Sequence, residues 1–266
     1  MKVAAVQLRA GQNKKHNIEN ALSLTRRAIR RGAKFICLPE VFNYRGPLSK
    51  NGLLNNIKER IPGESTAPFQ AMAREGNVYI LAGSVFEKID GSRKVYNTSV
   101  LISPDGKITA KYRKTNLFTA RIGTKKISES RNFRAGKQTA MSSVAGFKTG
   151  LTICYDLRFP EIFRSYSRRG ADIVCVPSSF TRTTGAAHWE ILLRARAIEN
   201  ACFIVAPNQI GKDHRGVFSY GNSLIINPWG KVVARASAAK EEIIYAKILK
   251  NDMKYFKQIL PGIRKK

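Results

Sequence analysis

A strand, a helix and a second strand are predicted in residues 148–176, which read KTGLTICYDLRFPEIFRSYSRRGADIVCV. Residues 148–153 and 173–176 have the apolar, β-rich composition of buried strands, and the spacing from about Pro160 to Arg169 is helical. Strands that alternate with helices pair in parallel, in a sheet that the helices cover. This stretch therefore predicts an α/β fold.

The same alternation extends to both sides of this segment. Further strands are predicted at about 3–8, 35–38, 78–82, 95–102, 108–114, 140–144, 203–206, 223–226, 232–234 and 243–248. Further helices are predicted at about 16–31, 68–74 and 186–198. The turn Ser103-Pro104-Asp105-Gly106 joins two strands into a hairpin, so the sheets are mixed. We find no linker and predict one domain over residues 1–266, with a short basic C-terminal extension from about residue 250.

The composition is that of a globular protein with a large excess of positive charge. Of 266 residues, 47 are Lys or Arg and 18 are Asp or Glu, which gives a formal net charge of +29. Because 43% of the residues are hydrophobic, a disordered polybasic chain and a collagen-like chain are excluded.

The cysteines and the apolar segments bear on the compartment. Cys37, Cys154, Cys175 and Cys202 lie far apart, inside or beside apolar runs, which is a poor disulfide framework. The first residues lack a secretory-signal pattern, and no stretch reaches the roughly 18 apolar residues of a membrane span. We therefore expect free thiols in a cytoplasmic protein that does not bind a membrane.

Three predicted strands end in residues that can carry chemistry. Glu40 follows the strand ending Cys37-Leu38-Pro39, Lys114 ends the strand at 108–114, and Cys154 ends the strand at 148–153. A cysteine between a strand and a helix has the arrangement of a nucleophile elbow. The turn there exposes the sulfur and directs backbone amides at a reacting carbonyl.

A carboxylate, an ammonium group and a thiol can together perform acyl transfer. The thiolate attacks a carbonyl, the carboxylate moves a proton to the leaving ammonia, and the ammonium group stabilises the oxyanion. His16, His188 and His214 share no motif with a cysteine, so a carboxylate base is the simpler hypothesis. The scattered His and Cys residues also lack metal-ligand spacing, and we expect neither a metal nor a cofactor.

Three segments in this order resemble the signatures of the nitrilase superfamily of carbon-nitrogen hydrolases. They are Leu38-Pro39-Glu40, Tyr112-Arg113-Lys114-Thr115, and residues 153–161, ICYDLRFPE. Residues 185–200, 219–223 and 227–230 extend the similarity over nearly the whole chain and are most similar to the branch that contains omega-amidase and deaminated glutathione amidase. The resemblance implies a single-domain α-β-β-α sandwich of two mixed sheets flanked by helices, assembled as a homodimer or higher homo-oligomer.

The resemblance also implies roles for the motif residues. Glu40 would be the general base, Lys114 the oxyanion-stabilising cation and Cys154 the nucleophile. The backbone amide of Tyr155 would be a second oxyanion donor, and Glu129 matches a second glutamate of the family. The implied reaction converts a linear amide to a carboxylate and ammonia through a thioester on the cysteine.

Other residues are candidates for substrate contact. An arginine at the position of Arg158 binds the substrate carboxylate in related carbamoylases; the alternative is an ion pair with Asp156 or Glu161. Ser179 and Phe180 follow another strand end and are predicted to line the pocket, with an ordinary loop as the alternative.

One position departs from the branch. The lysine motif usually continues with His after the Thr, but Asn116 stands here, and neutral or basic residues replace the acids that usually follow. Because the Glu-Lys-Cys triad does not depend on that histidine, we expect the change to bear on pocket shape and substrate choice.

Several functions fit these observations. We favour an amidase for a small-molecule amide, with an N-carbamoyl or nitrile hydrolase as the alternative within the superfamily. Residues 105–137 hold ten basic and two acidic side chains, which favour a solvated surface, attraction of an anionic amide, or nonspecific binding to nucleic acid. The alternative from another class is a basic nucleic-acid-binding protein on an inactive scaffold. Because no nucleic-acid-binding motif accompanies the charge, we expect no specific nucleic-acid partner.

Overall fold

The computed structural model of the protein describes residues 1–48, 53–122 and 125–259. Within these residues the chain forms two six-stranded mixed sheets, a two-stranded ribbon and six α-helices. The two large sheets pack face to face, and helices cover their outer surfaces.

The first sheet has the strand order β14-β1-β2-β3-β4-β5. Its strands are β1 (Lys2–Gln7), β2 (Phe35–Cys37), β3 (Tyr79–Lys88), β4 (Val95–Ile102), β5 (Ile108–Arg113) and β14 (Glu242–Lys247). β1, β2 and β3 run parallel, and the strands outside them are antiparallel to their neighbours. Glu40 lies shortly after the end of β2, and Lys114 is the residue after β5, so both lie at strand ends of this sheet.

The second sheet repeats this plan in the order β13-β12-β11-β10-β9-β8. Its strands are β8 (Ala140–Val144), β9 (Phe147–Leu151), β10 (Ile173–Cys175), β11 (Phe203–Ala206), β12 (Leu224–Ile226) and β13 (Val232–Arg235). β9, β10 and β11 are parallel, with antiparallel strands at both sides. Cys154 and Ser179 follow β9 and β10, at the carboxyl ends where α/β sheets form their sites.

Alternate residues of the strands build the two interfaces of the sandwich. In the first sheet, Val3, Ala5 and Cys37 face the second sheet, whereas Ala4 and Ile36 pack under helices. The helices are α1 (Lys14–Arg30), α2 (Leu53–Ile57), α3 (Ala67–Gly76), α4 (Pro160–Arg168), α5 (Arg182–Asn200) and α6 (Lys250–Ile259). α1 and α3 cover the first sheet, and α4 and α5 cover the second.

The predicted α-β-β-α sandwich is confirmed, and the differences are local. Helix α5 begins at Arg182, four residues before the predicted start, because the polar run Arg182-Thr183-Thr184 carries no apolar periodicity. The ribbon of β6 (Thr119–Ile122) and β7 (Lys125–Ser128) was not predicted, since its sequence is polar and basic rather than alternating. Helix α6 occupies the start of the predicted basic extension, and residues 263–266 lie outside the described residues.

Helix length and polarity also bear on membrane contact. In the described part of the chain, no helix combines the length and the apolar character that crossing a membrane requires.

Candidate active site

Glu40 lies just beyond β2, buried between the two sheets, with 4% of its surface exposed. Its Oε1 accepts hydrogen bonds from Lys114 Nζ and from Asn97 Nδ2, both at 2.9 Å. Its Oε2 accepts one from the Ser179 backbone N–H, also at 2.9 Å. The carboxylate is therefore held by groups from β4, from the end of β5 and from the loop after β10.

Lys114 is the buried cation of this site, with 1% of its surface exposed. Besides Glu40, its Nζ contacts Glu129, 3.1 Å from Oε1 and 3.0 Å from Oε2. Burial alone lowers the pKa of a lysine, but the attraction of Glu129 and Glu40 outweighs it, so the pKa of Lys114 is raised well above its ordinary value. Lys114 therefore stays charged between two carboxylates.

Glu129 approaches Lys114 from the ribbon side of the site. It follows β7, and its Oε2 accepts the Phe118 N–H at 2.7 Å, while its own N–H donates to the Phe118 carbonyl at 2.9 Å. Burial, with the negative charge of Glu40 nearby, raises the pKa of Glu129, although Lys114 opposes the shift. The reciprocal pair with Phe118 fixes this carboxylate at the base of the ribbon.

Cys154 is placed by a strained turn immediately after β9. Its φ of 49° lies in the left-handed region, which is unfavourable for a residue with a Cβ. Its N–H donates to the Pro177 carbonyl at 2.9 Å, and a 3₁₀ turn runs over Cys154–Arg158. The elbow predicted from the sequence is thus present, and the turn directs the thiol towards Glu40 and Lys114.

The surroundings of Cys154 favour the thiol over the thiolate. Burial raises its pKa, the negative charge of Glu40 raises it further, and Lys114 and the Ser179 N–H act in the opposite direction, with a net rise well above the ordinary value. The thiol also shares a hydrogen bond with the Glu40 carboxylate. A proton acceptor is therefore already in contact with the nucleophile.

A cavity of about 960 Å³ opens onto these residues. Its charged lining consists of Arg45, Lys114, Arg158, Arg182 and Arg215 with Glu40, Glu129 and Asp213. Lys114 pairs with both glutamates and Arg215 pairs with Asp213, so the remaining arginines give the cavity a positive balance.

Arg158 lies in this cavity without the ion pairs considered for it. Neither Asp156 nor Glu161 forms a salt bridge with it in the described residues. Its guanidinium instead lies over the rings of Tyr155 and Phe180, with 5.7 and 5.3 Å to their centroids, and contacts His188 Nδ1 at 3.3 Å. The group is thus oriented by two aromatic rings and the His188 side chain, and its charge is available in the cavity.

Ser179 and Phe180, which the sequence predicted to line the pocket, line the cavity, and so does Tyr155. Ser179 uses its backbone N–H to hold Glu40, and Phe180 packs its ring against Trp189 at 5.1 Å. Tyr155 is the second residue of the 3₁₀ turn, where backbone N–H groups have no acceptor within the turn itself.

The sequence did not indicate several residues of the site. Asn97 holds Glu40 from inside β4, and Arg45 lines the far part of the cavity with 9% exposure. Burial lowers the pKa of Arg45 to about 10, and its guanidinium donates to neutral oxygens of Ile210 and Ser219. An Asn in a strand and an Arg in a loop carry no local pattern that identifies such contacts.

Asn116 does not line the cavity, so any effect of this residue on pocket shape or substrate choice would be indirect and stays a prediction. Its side chain donates to Asp156 Oδ1 at 2.9 Å. Asp156 is buried and lies two residues after Cys154.

Metal binding was also considered. Among residues 1–48, 53–122 and 125–259, no group of three or more His, Cys, Asp and Glu side chains is arranged to hold a metal ion.

The sandwich and the buried Glu, Lys and Cys define a class of protein that the comparison with known families identifies. The chain belongs to the carbon-nitrogen hydrolase family, whose profile matches residues 2–258. The resemblance to nitrilase-superfamily enzymes inferred from the three motifs is thereby confirmed.

Two individual relatives and one solved structure are similar to this chain over most or all of its length. The chain is 35% identical over 266 residues to omega-amidase NIT2 of Homo sapiens, covering 100% of this chain and 94% of the relative. It is 38% identical over 241 residues to deaminated glutathione amidase of Mus musculus, covering 88% of this chain and 74% of the relative. The crystal structure of the C. elegans NitFhit protein superimposes with a TM-score of 0.90 at 32% identity. That match covers 100% of this chain and 64% of the NitFhit chain, so this chain spans less than two thirds of it.

Proposed function

We propose that this protein is an amidase that hydrolyses a small linear amide to a carboxylate and ammonia through a thioester on Cys154. One observation carries the proposal: a cysteine on a strained strand-to-helix turn contacts a buried carboxylate, Glu40, that is itself paired with a buried ammonium group, Lys114. Each of the three groups has the chemistry that acyl transfer to a thiol needs.

In the first half of the reaction, Glu40 takes the proton of the Cys154 thiol as the sulfur attacks the amide carbon. Lys114 and the Tyr155 N–H stabilise the oxyanion, because an ammonium group and a backbone N–H are donors that a developing negative charge needs. The C–N bond then breaks, and Glu40 passes its proton to the nitrogen, which leaves as ammonia. The acyl group remains on the sulfur as a thioester.

The second half consumes one water molecule. Glu40, again a carboxylate, takes a proton from the water as its oxygen attacks the thioester carbon. The C–S bond breaks, the product leaves as a carboxylic acid, and Glu40 returns the proton to the thiolate. Glu129 supports both halves, since its carboxylate holds the Lys114 ammonium 3.0 Å away in a fixed position.

The cavity supports an anionic amide as the substrate. Arg158 carries a positive charge that no described carboxylate neutralises, and it lies next to Tyr155, the residue after the nucleophile. A carboxylate on the substrate would bind this guanidinium while the amide reaches Cys154. Phe180 and the side chain of Ser179 would bound the acyl chain between these two points.

The relatives favour amides over the alternatives. They are an omega-amidase and a deaminated glutathione amidase, which supports an amide substrate rather than an N-carbamoyl compound or a nitrile. The buried Glu-Lys-Cys arrangement, in turn, favours an active enzyme over a nucleic-acid-binding protein on an inactive scaffold.

Oligomerisation and compartment belong to the same proposal. Ile191 and Ile198, one above the other on α5, are 69% and 43% exposed, and Trp229 beside them is 55% exposed. An exposed apolar surface of this kind fits a second copy of the chain, so we propose a homo-oligomer.

The compartment is proposed from the cysteines. The Sγ atoms of Cys37 and Cys175 lie 3.8 Å apart without a bond, which supports a reducing, cytoplasmic compartment. We also propose that the chain is a single hydrolase domain with a basic extension.

Replacement of the nucleophile tests the reaction. Ammonia release is measured over dicarboxylate monoamides such as alpha-ketoglutaramate, deaminated glutathione, ureido acids and simple nitriles. We expect the wild type to act on the amides, and Cys154→Ser to lose at least about 10³-fold in kcat. The matched control, Cys202→Ser, changes a buried cysteine outside the cavity and keeps wild-type activity.

A second measurement identifies the intermediate. Mass spectrometry of wild-type protein quenched during turnover should show an acyl adduct on the peptide that contains Cys154. Ammonia release by Cys154→Ser at the wild-type rate contradicts the proposal. Salt-sensitive retention of DNA or RNA by a protein without amidase activity would favour the alternative from another class.

A further inference from the structure

Asp156 is a buried carboxylate that the proposed reaction does not use. It is 0% exposed, two residues after the nucleophile, and no Lys, Arg or His in the described residues forms a salt bridge with it. An uncompensated buried carboxylate is costly unless hydrogen bonds satisfy its oxygens. Its environment is therefore the feature to explain.

Five hydrogen bonds converge on this carboxylate. Oδ2 accepts from the Ile153 N–H at 2.8 Å and from Tyr112 Oη at 2.7 Å. Oδ1 accepts from Thr115 Oγ1 at 3.2 Å and from both the backbone N–H and Nδ2 of Asn116, at 3.0 and 2.9 Å. The set satisfies both oxygens with neutral donors.

The donors come from both sheets of the sandwich. Tyr112, Thr115 and Asn116 belong to the end of β5 and the loop that carries Lys114, in the first sheet. Ile153 and Asp156 itself belong to the turn that carries Cys154, in the second sheet. Asp156 therefore links the backbone segments of the ammonium group and the nucleophile.

This link acts where the backbone is strained. Cys154 keeps its positive φ only if neighbouring hydrogen bonds hold the turn. The Cys154 N–H is bonded to the Pro177 carbonyl, and the Asp156 carboxylate, two residues after Cys154, accepts the N–H of Ile153, the residue before it. Loss of the cap would let the thiol move relative to Lys114, and displacements near 1 Å cost about 10²-fold in rate.

Asn116 is the donor that differs from the related enzymes. An amide donates at every pH, whereas the imidazole that usually follows the Thr titrates near neutrality. Burial raises the pKa of Asp156. The hydrogen bonds of Tyr112, Ile153 and Asn116 and the charge of Lys114 lower it, but the net shift is upward. Tyr166 is a further titratable group beside Asp156.

We propose that Asp156, with Asn116 as its neutral donor, is a positioning residue that holds Lys114 in place relative to Cys154. The proposal rests on the proposed amidase function. It assigns Asn116 a role in the geometry of the reacting groups rather than in the wall of the pocket.

The variant Asn116→Asp tests this inference. It replaces a donor by a second carboxylate against Asp156, so the link is lost when both are charged and returns when one proton is shared between them. We expect kcat to fall roughly 10–100-fold at pH 8 with KM within about threefold of the wild type. The ratio of variant to wild-type kcat should rise as the pH is lowered towards 5.5.

Conservative and matched variants complete the design. Asn116→His restores a donor and should keep kcat within about threefold of the wild type near pH 7. Asn251→Asp adds the same charge on the exposed surface of α6 and should leave kcat unchanged at every pH. If Asn116→Asp lowers only the melting temperature, or gives a kcat ratio that does not change with pH, the inference is wrong.

Alkylation separates this inference from the amidase proposal. The rate of Cys154 modification by iodoacetamide needs no amide substrate and depends on how the elbow is held. We expect Asn116→Ala, which adds no charge, to change that rate at least about threefold. This result would support the positioning role even if no amide were hydrolysed, and an unchanged rate would contradict it.

Discussion

At the scale of single residues, Cys154 shows how environment decides reactivity. Cys37, Cys175 and Cys202 are also buried, yet they lie inside strands or beside a helix and do not line the cavity. Cys154 alone among them has a left-handed backbone and a hydrogen bond to Glu40. The proposed nucleophile thus differs from the other three cysteines in its backbone conformation and its contact with a carboxylate.

The pH dependence of alkylation follows from this environment. Burial and the charge of Glu40 keep the pKa of Cys154 well above that of an ordinary thiol, so the thiolate is scarce near neutral pH and its fraction grows as the pH rises. We expect iodoacetamide to modify Cys154 slowly at pH 7, with a rate that still increases between pH 9 and pH 10. Peptide mapping distinguishes Cys154 from the other three cysteines. A rate that is constant above pH 7 would show that Lys114 dominates instead.

At the scale of elements, the strands position the site through close backbone contacts. Gly83 lies at the irregularity of β3, where a Cβ would fall 2.1 Å from the carbonyl oxygens of Leu38 and Pro39. The segment that leads from β2 to Glu40 therefore passes directly over this glycine. A side chain there would push Glu40 away from its partners.

Glu87 joins three strands of the first sheet. It lies at the end of β3 and accepts hydrogen bonds from Thr98 of β4 and from Arg113 and Lys111 of β5. Burial would raise its pKa, but the hydrogen bonds from Arg113, Thr98 and Lys111 prevail and lower the pKa to about 2. These contacts hold β5 in place, and β5 positions Lys114, the residue that follows it.

Acid titration of Glu87→Gln tests this contribution. A carboxyl with a lowered pKa stabilises the fold above its ordinary value near 4.5, and the stabilisation is lost as the pH falls towards 2. At pH 7 we expect the free energy of unfolding to drop by roughly 2–3 kcal/mol. The difference from wild type should shrink below pH 4.5, as measured by urea unfolding.

The control for this experiment is Glu75→Gln, on the exposed surface of α3. It should change stability by less than about 0.5 kcal/mol at either pH. A Glu87→Gln difference that stays constant from pH 7 to pH 3 would rule out the charge as its cause.

At the scale of the whole molecule, the exposed apolar surface of α5 bears on assembly. Ile198 lies against Gly230, next to Trp229, whose ring stacks on Phe256 of α6 at 6.1 Å. Ile191 lies two turns earlier on the same side of α5. Four large apolar side chains from three segments thus form one patch in an otherwise strongly basic protein.

Size-exclusion chromatography with light scattering tests the proposed oligomer. We expect the wild type at a multiple of the 29.7 kDa of one chain, and the double variant Ile191→Glu, Ile198→Glu at 29.7 kDa. The control Gln12→Glu, Ser23→Glu adds the same charge at exposed positions around α1 and should keep the wild-type mass. A wild type that elutes as a monomer would contradict the assembly.

The net charge of +29 has a more limited meaning at this scale. The candidate site residues Glu40 and Lys114 are buried and Glu129 is half-buried, and all three are paired, so the surface excess does not set their chemistry. Within the cavity, arginines outnumber unpaired acids, which favours the entry of anions. The charge thus acts on substrate approach, whereas the catalytic groups depend on contacts between the sheets.

Much of this protein was determined by sequence alone. The alternation of apolar runs and helical spacing predicted mixed sheets covered by helices, because burial of one strand face and one helix stripe leaves few other arrangements. The family resemblance of the motifs then implied the α-β-β-α sandwich. The three strand-end motifs made Glu40, Lys114 and Cys154 candidates for the site, since each motif is contiguous and local. Residues without a local pattern, such as Asn97, were not identified.

Only the tertiary structure decided how these groups meet. The two sheets bring Glu40 and Lys114 against Cys154, although 74 residues separate the first two and 40 the last two. Asp156 bonds Asn116 across the same interface, and Arg158 faces the cavity instead of an acid beside it in the chain. Such contacts depend on strand order and sheet packing, which join residues far apart in the chain, so no short stretch of sequence could reveal them.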